Sequence, residues 1–172
     1  MQTRRTIRTV AVLFLVLSPV VATAASRPLY DENANIKQEI ADAVAIASQT
    51  GKNIALVFGA NWCSDCHALD AAMHIPPLAG VISKNYVVVK IDVGRFDKNL
   101  DVAEKYGVPL SLGIPAIAVL DAHGKLLYAQ RKGQFEAASR LPYGEFQAFF
   151  ERWKPRALRR RPNHHRVGQG TT

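Results

Sequence analysis

The sequence predicts an α/β domain with a mixed central sheet of about four strands, flanked by helices on both faces. Apolar residues make up 48% of its 172 residues and charged residues 21%, which is typical of a globular domain. Apolar runs of strand length alternate with segments of helical periodicity, and this alternation favours parallel strands joined by crossovers. The last two strands follow each other directly, which predicts an antiparallel hairpin.

Each element rests on a local pattern. In chain order we predict a helix from 36 to about 50, a strand over 54–58, a helix from 63 to about 73, a strand over 86–93, a helix over 99–106, strands over 116–120 and 125–130, and a last helix that includes 146–153. Gly51 and Gly107 end helices, and Pro76-Pro77 ends the second one. Aromatic residues spaced i, i+3, i+4 and i+7 from Phe146 predict a core-packing face on the last helix.

Both ends of the chain are basic, whereas its middle is not. The formal net charge is +8, but residues 1–24 contribute three arginines and residues 152–172 contribute seven lysines and arginines, which leaves −2 for 25–151. The globular part therefore lacks the positive charge that a nucleic-acid partner would need, and we predict none. The Arg- and Gly-rich residues 155–172 predict a disordered tail.

Residues 1–24 have the pattern of a secretory signal peptide. Three arginines precede a short apolar run at 10–17, and Ala22-Thr23-Ala24 offers a cleavage site of small residues. An uncleaved membrane anchor is the alternative. Export would place the mature domain, predicted over 25–154, in the periplasm, where cysteines can form disulfides.

Both cysteines of the chain lie in the segment Trp62-Cys63-Ser64-Asp65-Cys66-His67, directly after a buried strand and at the start of a helix. Unpaired N–H groups and the positive end of the helix dipole favour a thiolate at Cys63, whereas Cys66 lies a turn further in and is more shielded. We therefore predict Cys63 as the nucleophile and Cys66 as the resolving thiol of a disulfide exchange. With no third cysteine, the exchange partners must be other molecules.

The run from Phe58 to Cys66 resembles the active-site segment of the thioredoxin-like family, in particular its exported bacterial members with a Trp-Cys-x-x-Cys core. Gly113-Ile114-Pro115 resembles the cis-proline turn of that family. The resemblance spans about residues 32–154 and implies a thioredoxin fold and a cofactor-free thiol–disulfide oxidoreductase that acts on protein thiols and disulfides. It also implies that Trp62, Ile114 and Pro115 bind the substrate.

The sequence departs from the family pattern beside the cysteines. Val57 stands where many members carry a buried acid, which leaves the proton acceptor for Cys66 open, and Lys90 matches a family lysine that often faces that acid. The family's usual first strand is not evident. We expect Asp65 and His67 to modulate the thiolate, because a protonated imidazole favours it and a carboxylate opposes it.

Other functions remain as alternatives. The run from Cys63 to His67 also fits the Cys-x-x-Cys-His attachment motif of c-type haem, and the same residues with His74 include metal-ligand types. Two inert, buried thiols are a third alternative. Haem proteins often use a distal Met, and Met73 lies too close behind the motif, while the sequence offers no second pair of zinc ligands. We favour a monomeric reductase or electron carrier, recharged by a membrane-embedded redox partner, with no bound metal.

Overall fold

Five α-helices and four strands follow one another in the computed structural model, which describes residues 28–156. They are α1 (Ile36–Thr50), β1 (Asn53–Gly59), α2 (Ser64–Met73), α3 (Leu78–Asn85), β2 (Tyr86–Asp92), α4 (Leu100–Lys105), β3 (Ala116–Leu120), β4 (Leu126–Ala129) and α5 (Tyr143–Arg152). Short 3-10 helices lie at Leu110–Leu112 and Ala138–Arg140. The predicted signal peptide and most of the predicted tail lie outside the described residues.

The sheet has the strand order β2-β1-β3-β4, so β1 is a central strand. It pairs in parallel with β2 and antiparallel with β3, and β3 pairs antiparallel with β4. Every residue of β1 is buried, as the continuous apolar run predicts. The strand ends at Gly59, and the chain leaves it directly toward the two cysteines.

One prediction about strand direction is wrong. Strands separated by helices were expected to be parallel, and this holds for β1 and β2 but not for β3, which runs antiparallel to β1. The six residues of α4 rise only about 9 Å, whereas a seven-residue strand spans about 23 Å. The helix is too short to return the chain to the far end of the sheet, so β3 starts at the end where β2 stops.

Helices cover both faces of the sheet, as predicted. Buried residues of α1 and α4, such as Ile40 and Val102, form one apolar cluster with the sheet. Leu69 of α2, Leu78 of α3 and Phe150 of α5 belong to a second cluster on the opposite face. The cysteines lie at the edge of this arrangement, where β1 passes into α2.

Helix α3 was not predicted from the sequence. Its apolar residues Leu78, Val81 and Ile82 have helical spacing, but eight residues form too short a window between the proline pair and β2 for the periodicity to be recognised. Leu78 is fully buried, and its N–H donates to the hydroxyl of Tyr143 at 3.1 Å. None of the helices in residues 28–156 is long and apolar enough to cross a membrane.

Candidate active site

A disulfide joins Cys63 and Cys66 at the start of α2. Cys63 is the N-cap residue, and the backbone N–H of Cys66 donates to its Sγ at 3.1 Å. Cys63 is 5% exposed and Cys66 is 1% exposed. In the reduced state, that N–H at the positive helix end would stabilise a Cys63 thiolate. The predicted roles of Cys63 as nucleophile and Cys66 as resolving thiol stay predictions.

The predicted proline turn lies against the disulfide. The Ile114–Pro115 peptide bond is cis, as the resemblance implied, and both residues are buried. The carbonyl oxygen of Ile114 lies 3.6 Å from Cys63 Sγ. The fold therefore brings together two segments that are about fifty residues apart in the chain.

Trp62 forms an apolar surface beside the cysteines. Its side chain is 52% exposed, and its indole N–H donates to the carbonyl oxygen of Gly94 at 2.8 Å. The edge of the ring faces Phe96, with centroids 6.0 Å apart. Phe96 is also exposed and has a φ of 66°, a backbone region that bulky residues rarely adopt. Phe96 belongs to no periodic pattern in the sequence, so this part of the surface was missed.

The Asp65 carboxylate is hydrogen-bonded to Ser139. Its Oδ1 accepts hydrogen bonds from the Ser139 backbone N–H at 2.8 Å and from the Ser139 hydroxyl at 2.7 Å. The backbone hydrogen bond first, and the hydroxyl second, lower the pKa of Asp65 below its usual value. A negative charge is thereby held in the first turn of α2, between the two cysteines in sequence.

The two histidines near the motif contact backbone carbonyls. Nε2 of His67 lies 2.8 Å from the carbonyl oxygen of Asn61, and Nδ1 of His74 lies 2.7 Å from that of Asp70. Within residues 28–156, no group of three or more His, Cys, Asp or Glu side chains is arranged to hold a metal ion. The predicted modulating role of His67 stays a prediction.

Lys90, which matches a lysine of the family pattern, is paired with a carboxylate other than the one that Val57 replaces. Lys90 is the register partner of Val57, on the strand beside it. Its Nζ lies 2.5 Å from Oδ1 of Asp70, which is one turn after Cys66 on α2. The lysine is thus paired with a carboxylate from the helix, and this replacement was not recognised in the sequence.

Tyr30 is a further site residue that sequence reasoning missed. It is 1% exposed, and the Asn61 side chain binds its backbone twice: the Tyr30 N–H donates to Oδ1 at 2.8 Å and the Tyr30 carbonyl accepts from Nδ2 at 2.9 Å. A Cβ built on Gly59 would overlap the Tyr30 hydroxyl and lie 2.9 Å from Cys66 Sγ. The hydroxyl and the sulfur therefore share the space that a side chain at position 59 would take.

Comparisons with known proteins agree with this geometry. A family model described as thioredoxin-like matches residues 35–122. The crystal structure of a disulphide isomerase from Xylella fastidiosa Temecula1 is 39% identical, with a TM-score of 0.71 over 74% of this chain and 98% of that one. A thioredoxin from Thermus thermophilus is 19% identical, with a TM-score of 0.49 over 65% of this chain and 81% of that one. A search among curated proteins finds no match.

The family match covers more than half of the chain and includes β1, both cysteines and the proline turn. The Xylella structure extends the likeness to nearly the whole of that relative. Cys63 and Cys66 are placed to open and close a disulfide at the start of a helix, which is the chemistry of a thiol–disulfide oxidoreductase. This chain belongs to the thioredoxin-like family and is such an enzyme.

Proposed function

We propose that this protein is exported and reduces disulfides of other proteins, or passes electrons to them, through the Cys63–Cys66 pair. The observation that carries the proposal is the placement of Cys63 Sγ between the Cys66 N–H, at 3.1 Å, and the Ile114 carbonyl oxygen, at 3.6 Å. The N–H stabilises a thiolate, and a chain that reaches Cys63 would meet the backbone next to Pro115.

The exchange has two steps. In the first, the Cys63 thiolate attacks one sulfur of a substrate disulfide, so that a mixed disulfide forms and one substrate thiolate leaves. In the second, Cys66 Sγ attacks Cys63 Sγ, the enzyme disulfide closes and the second substrate thiolate leaves. The proton of Cys66 passes through water to a released thiolate. Because the chain has only two cysteines, a separate dithiol must then reduce the enzyme.

The charge at Asp65 favours the reducing direction. Hydrogen bonds from Ser139 hold the carboxylate in its ionised form, and a negative charge near Cys63 opposes the thiolate. A less stable thiolate makes the dithiol a stronger reductant.

The equilibrium potential of the Cys63–Cys66 couple against glutathione tests the direction. We expect a value near that of thioredoxin, about −270 mV, rather than that of a strong oxidant, about −120 mV. A value near the second figure would make the protein an oxidant of dithiols and would overturn the reductase proposal.

Variants of the two cysteines test the roles of the sulfurs. We expect Cys63→Ser to abolish insulin-disulfide reduction, and Cys66→Ser to accumulate a mixed disulfide with substrate that gel electrophoresis without reductant detects. Full activity of Cys63→Ser would show that the nucleophile is wrongly assigned.

Disulfide isomerisation is the second candidate function, because the 39% identical Xylella relative is described as a disulphide isomerase. An isomerase restores activity to scrambled ribonuclease under conditions in which a simple reductase only unfolds it. Recovery of ribonuclease activity that depends on Cys63 would favour this function over reduction.

Export is tested separately. We propose that the chain is processed after Ala24 and that a membrane-embedded thiol donor keeps the pair reduced. An intact mass of periplasmic protein that begins at Ala25 would support export with cleavage. A mass that includes residues 1–24 would favour the uncleaved anchor.

A further inference from the structure

The inner sulfur of the redox pair has a buried phenol as its neighbour. A Cβ at Gly59 would overlap the Tyr30 hydroxyl and approach Cys66 Sγ to 2.9 Å, so both groups lie over the same point of β1. Gly59 has no side chain to separate them. Tyr30 and Cys66 are both 1% exposed, which leaves bulk water little access to either.

Tyr30 is held in this place by its backbone. Both its N–H and its carbonyl are bound by the side chain of Asn61, at 2.8 and 2.9 Å. Asn61 directly precedes Trp62 and Cys63, so the same short segment fixes the phenol and the reactive sulfur. Two hydrogen bonds to one side chain define both the position and the direction of the chain at residue 30.

Burial and two neighbouring carboxylates keep the phenol protonated. Burial first, and the carboxylates of Asp70 and Asp92 second, raise the pKa of Tyr30 above its usual value. Asp92 is the register partner of Gly59 and therefore leaves the sheet on the same side. Each carboxylate has a lysine partner, Lys90 for Asp70 at 2.5 Å and Lys98 for Asp92 at 3.4 Å.

We infer that Tyr30 is a positioning residue for the resolving step, and that its hydroxyl donates a hydrogen bond to the Cys66 thiolate when the disulfide is open. It takes over part of the role that an acid at position 57 cannot play in this chain, where that residue is Val57. The hydroxyl keeps its own proton throughout. The thiol proton of Cys66 passes to the substrate thiolate that the first step releases.

The bond changes are the same in both directions of exchange. When Cys66 attacks, a new bond forms between Cys66 Sγ and Cys63 Sγ, the bond from Cys63 to the substrate sulfur breaks, and that sulfur leaves with the electron pair. In reverse, Cys66 is the leaving thiolate. The Tyr30 hydrogen bond stabilises the thiolate in either case, so this role holds whether the enzyme reduces or oxidises its substrates.

Tyr30→Phe is the informative substitution, because it removes only the hydroxyl and keeps the ring. Tyr128→Phe is the matched control. Tyr128 lies on the edge strand β4 and packs against the apolar cluster on the opposite face of the sheet, and its hydroxyl donates to Oε1 of Gln134 at 2.8 Å. Thermal unfolding of both variants records any loss of fold. In a Cys63→Ser background, Cys66 is the sole thiol, and its rate of alkylation by iodoacetamide is measured against pH.

We expect Tyr30→Phe to move the pH midpoint of Cys66 alkylation upward by about one unit, as the loss of a hydrogen bond to a charged group predicts. Tyr128→Phe should leave the midpoint in place. An unchanged midpoint in Tyr30→Phe, with or without a change in unfolding temperature, would overturn the inference, and so would an equal shift in the control.

A second readout uses both cysteines and the aromatic disulfide DTNB. The first release of thionitrobenzoate reports attack by Cys63, and the second reports resolution by Cys66. We expect Tyr30→Phe to leave the first phase unchanged and to slow the second about threefold below the midpoint, because a tenfold loss of thiolate is partly offset by its higher nucleophilicity. Above both midpoints, where Cys66 is fully ionised in either protein, the variant should be about threefold faster, because only the higher nucleophilicity remains.

A purely structural role for Tyr30 would slow both phases or neither, without this dependence on pH. The absence of any second phase in the natural chain would contradict the oxidoreductase assignment itself. The alkylation midpoint would still decide the role of Tyr30 in that case, so the two failures are distinguishable.

Discussion

Asp65 and Ser139 join the first turn of α2 to the segment before α5, through hydrogen bonds of 2.8 Å from the Ser139 N–H and 2.7 Å from its hydroxyl. Asp65 lies between the two cysteines in sequence. The same contact that fixes the start of the helix therefore also fixes a negative charge close to the redox pair, which links local stability to reducing power.

Asp65→Asn should make the redox couple less reducing. The amide keeps a hydrogen-bonding side chain at this position but removes the charge that opposes a Cys63 thiolate. An exposed charge pair contributes about 0.2–1 kcal/mol, which corresponds to roughly 5–20 mV for a two-electron couple. We expect the potential against glutathione to rise by that amount, and a fall would contradict the proposed influence of the charge.

Ser139→Ala should lower stability in a pH-dependent way. The backbone hydrogen bond, which this variant keeps, and the hydroxyl hydrogen bond, which it removes, both lower the folded-state pKa of Asp65. The hydroxyl therefore stabilises the fold above the unfolded-state pKa, about 3.9, and its stabilisation is lost as the pH falls through the lower folded-state value. Because water screens this site, the contribution is below about 1 kcal/mol. Thermal unfolding should separate variant from natural chain at pH 7 and bring them together near pH 2. A difference that persisted at pH 2 would assign the loss to packing instead.

Gly59→Ala should destabilise the fold, because its Cβ has no room between the Tyr30 hydroxyl and Cys66 Sγ. Overpacking of this kind lowers the free energy of unfolding by about 1–3 kcal/mol, which is measured as a lower denaturant midpoint. Gly80→Ala is the matched control, since a Cβ at Gly80, inside α3, would meet no atom within 4 Å. The free energy of unfolding of the control should rise by about 0.4–1 kcal/mol. An equal decrease in both variants would refute the steric explanation.

Trp62→Ala should weaken the action on protein substrates while leaving small disulfides unaffected. The exposed ring offers apolar surface beside Cys63 that only a polypeptide can cover. We expect kcat/KM for insulin reduction to fall by about five- to tenfold, near 1–1.4 kcal/mol, with unchanged attack on DTNB. Leu127→Ala is the control, an exposed apolar residue on β4. A comparable loss for DTNB would mean that Trp62 supports the cysteines themselves.

The elements that the sequence predicted best are those with strong local signals. The apolar run of β1, the capped α1 and the cysteine pair at the start of α2 all follow from patterns within a few residues. The turn before Pro115 was predicted only through resemblance to the family, and its position against Cys63 depends on how the whole sheet folds.

The features that were missed depend on contacts between distant segments. Tyr30 lies in a polar stretch without periodicity, and its place over Gly59 follows from the hydrogen bonds of Asn61, thirty-one residues later. The pairing of Lys90 with Asp70 required the register of β2 against β1 and the rotation of α2. No pattern within a window of the sequence contains that information.

The two hydrogen bonds between the Asn61 side chain and the Tyr30 backbone limit how many N-terminal residues can be removed. A fragment cut to the span of the family match would begin at residue 35 and would lose the phenol that fills the hollow above Gly59. The inner sulfur would then face a water-accessible hole. The few residues ahead of the first helix therefore shield the end of the sheet that carries the reactive sulfurs.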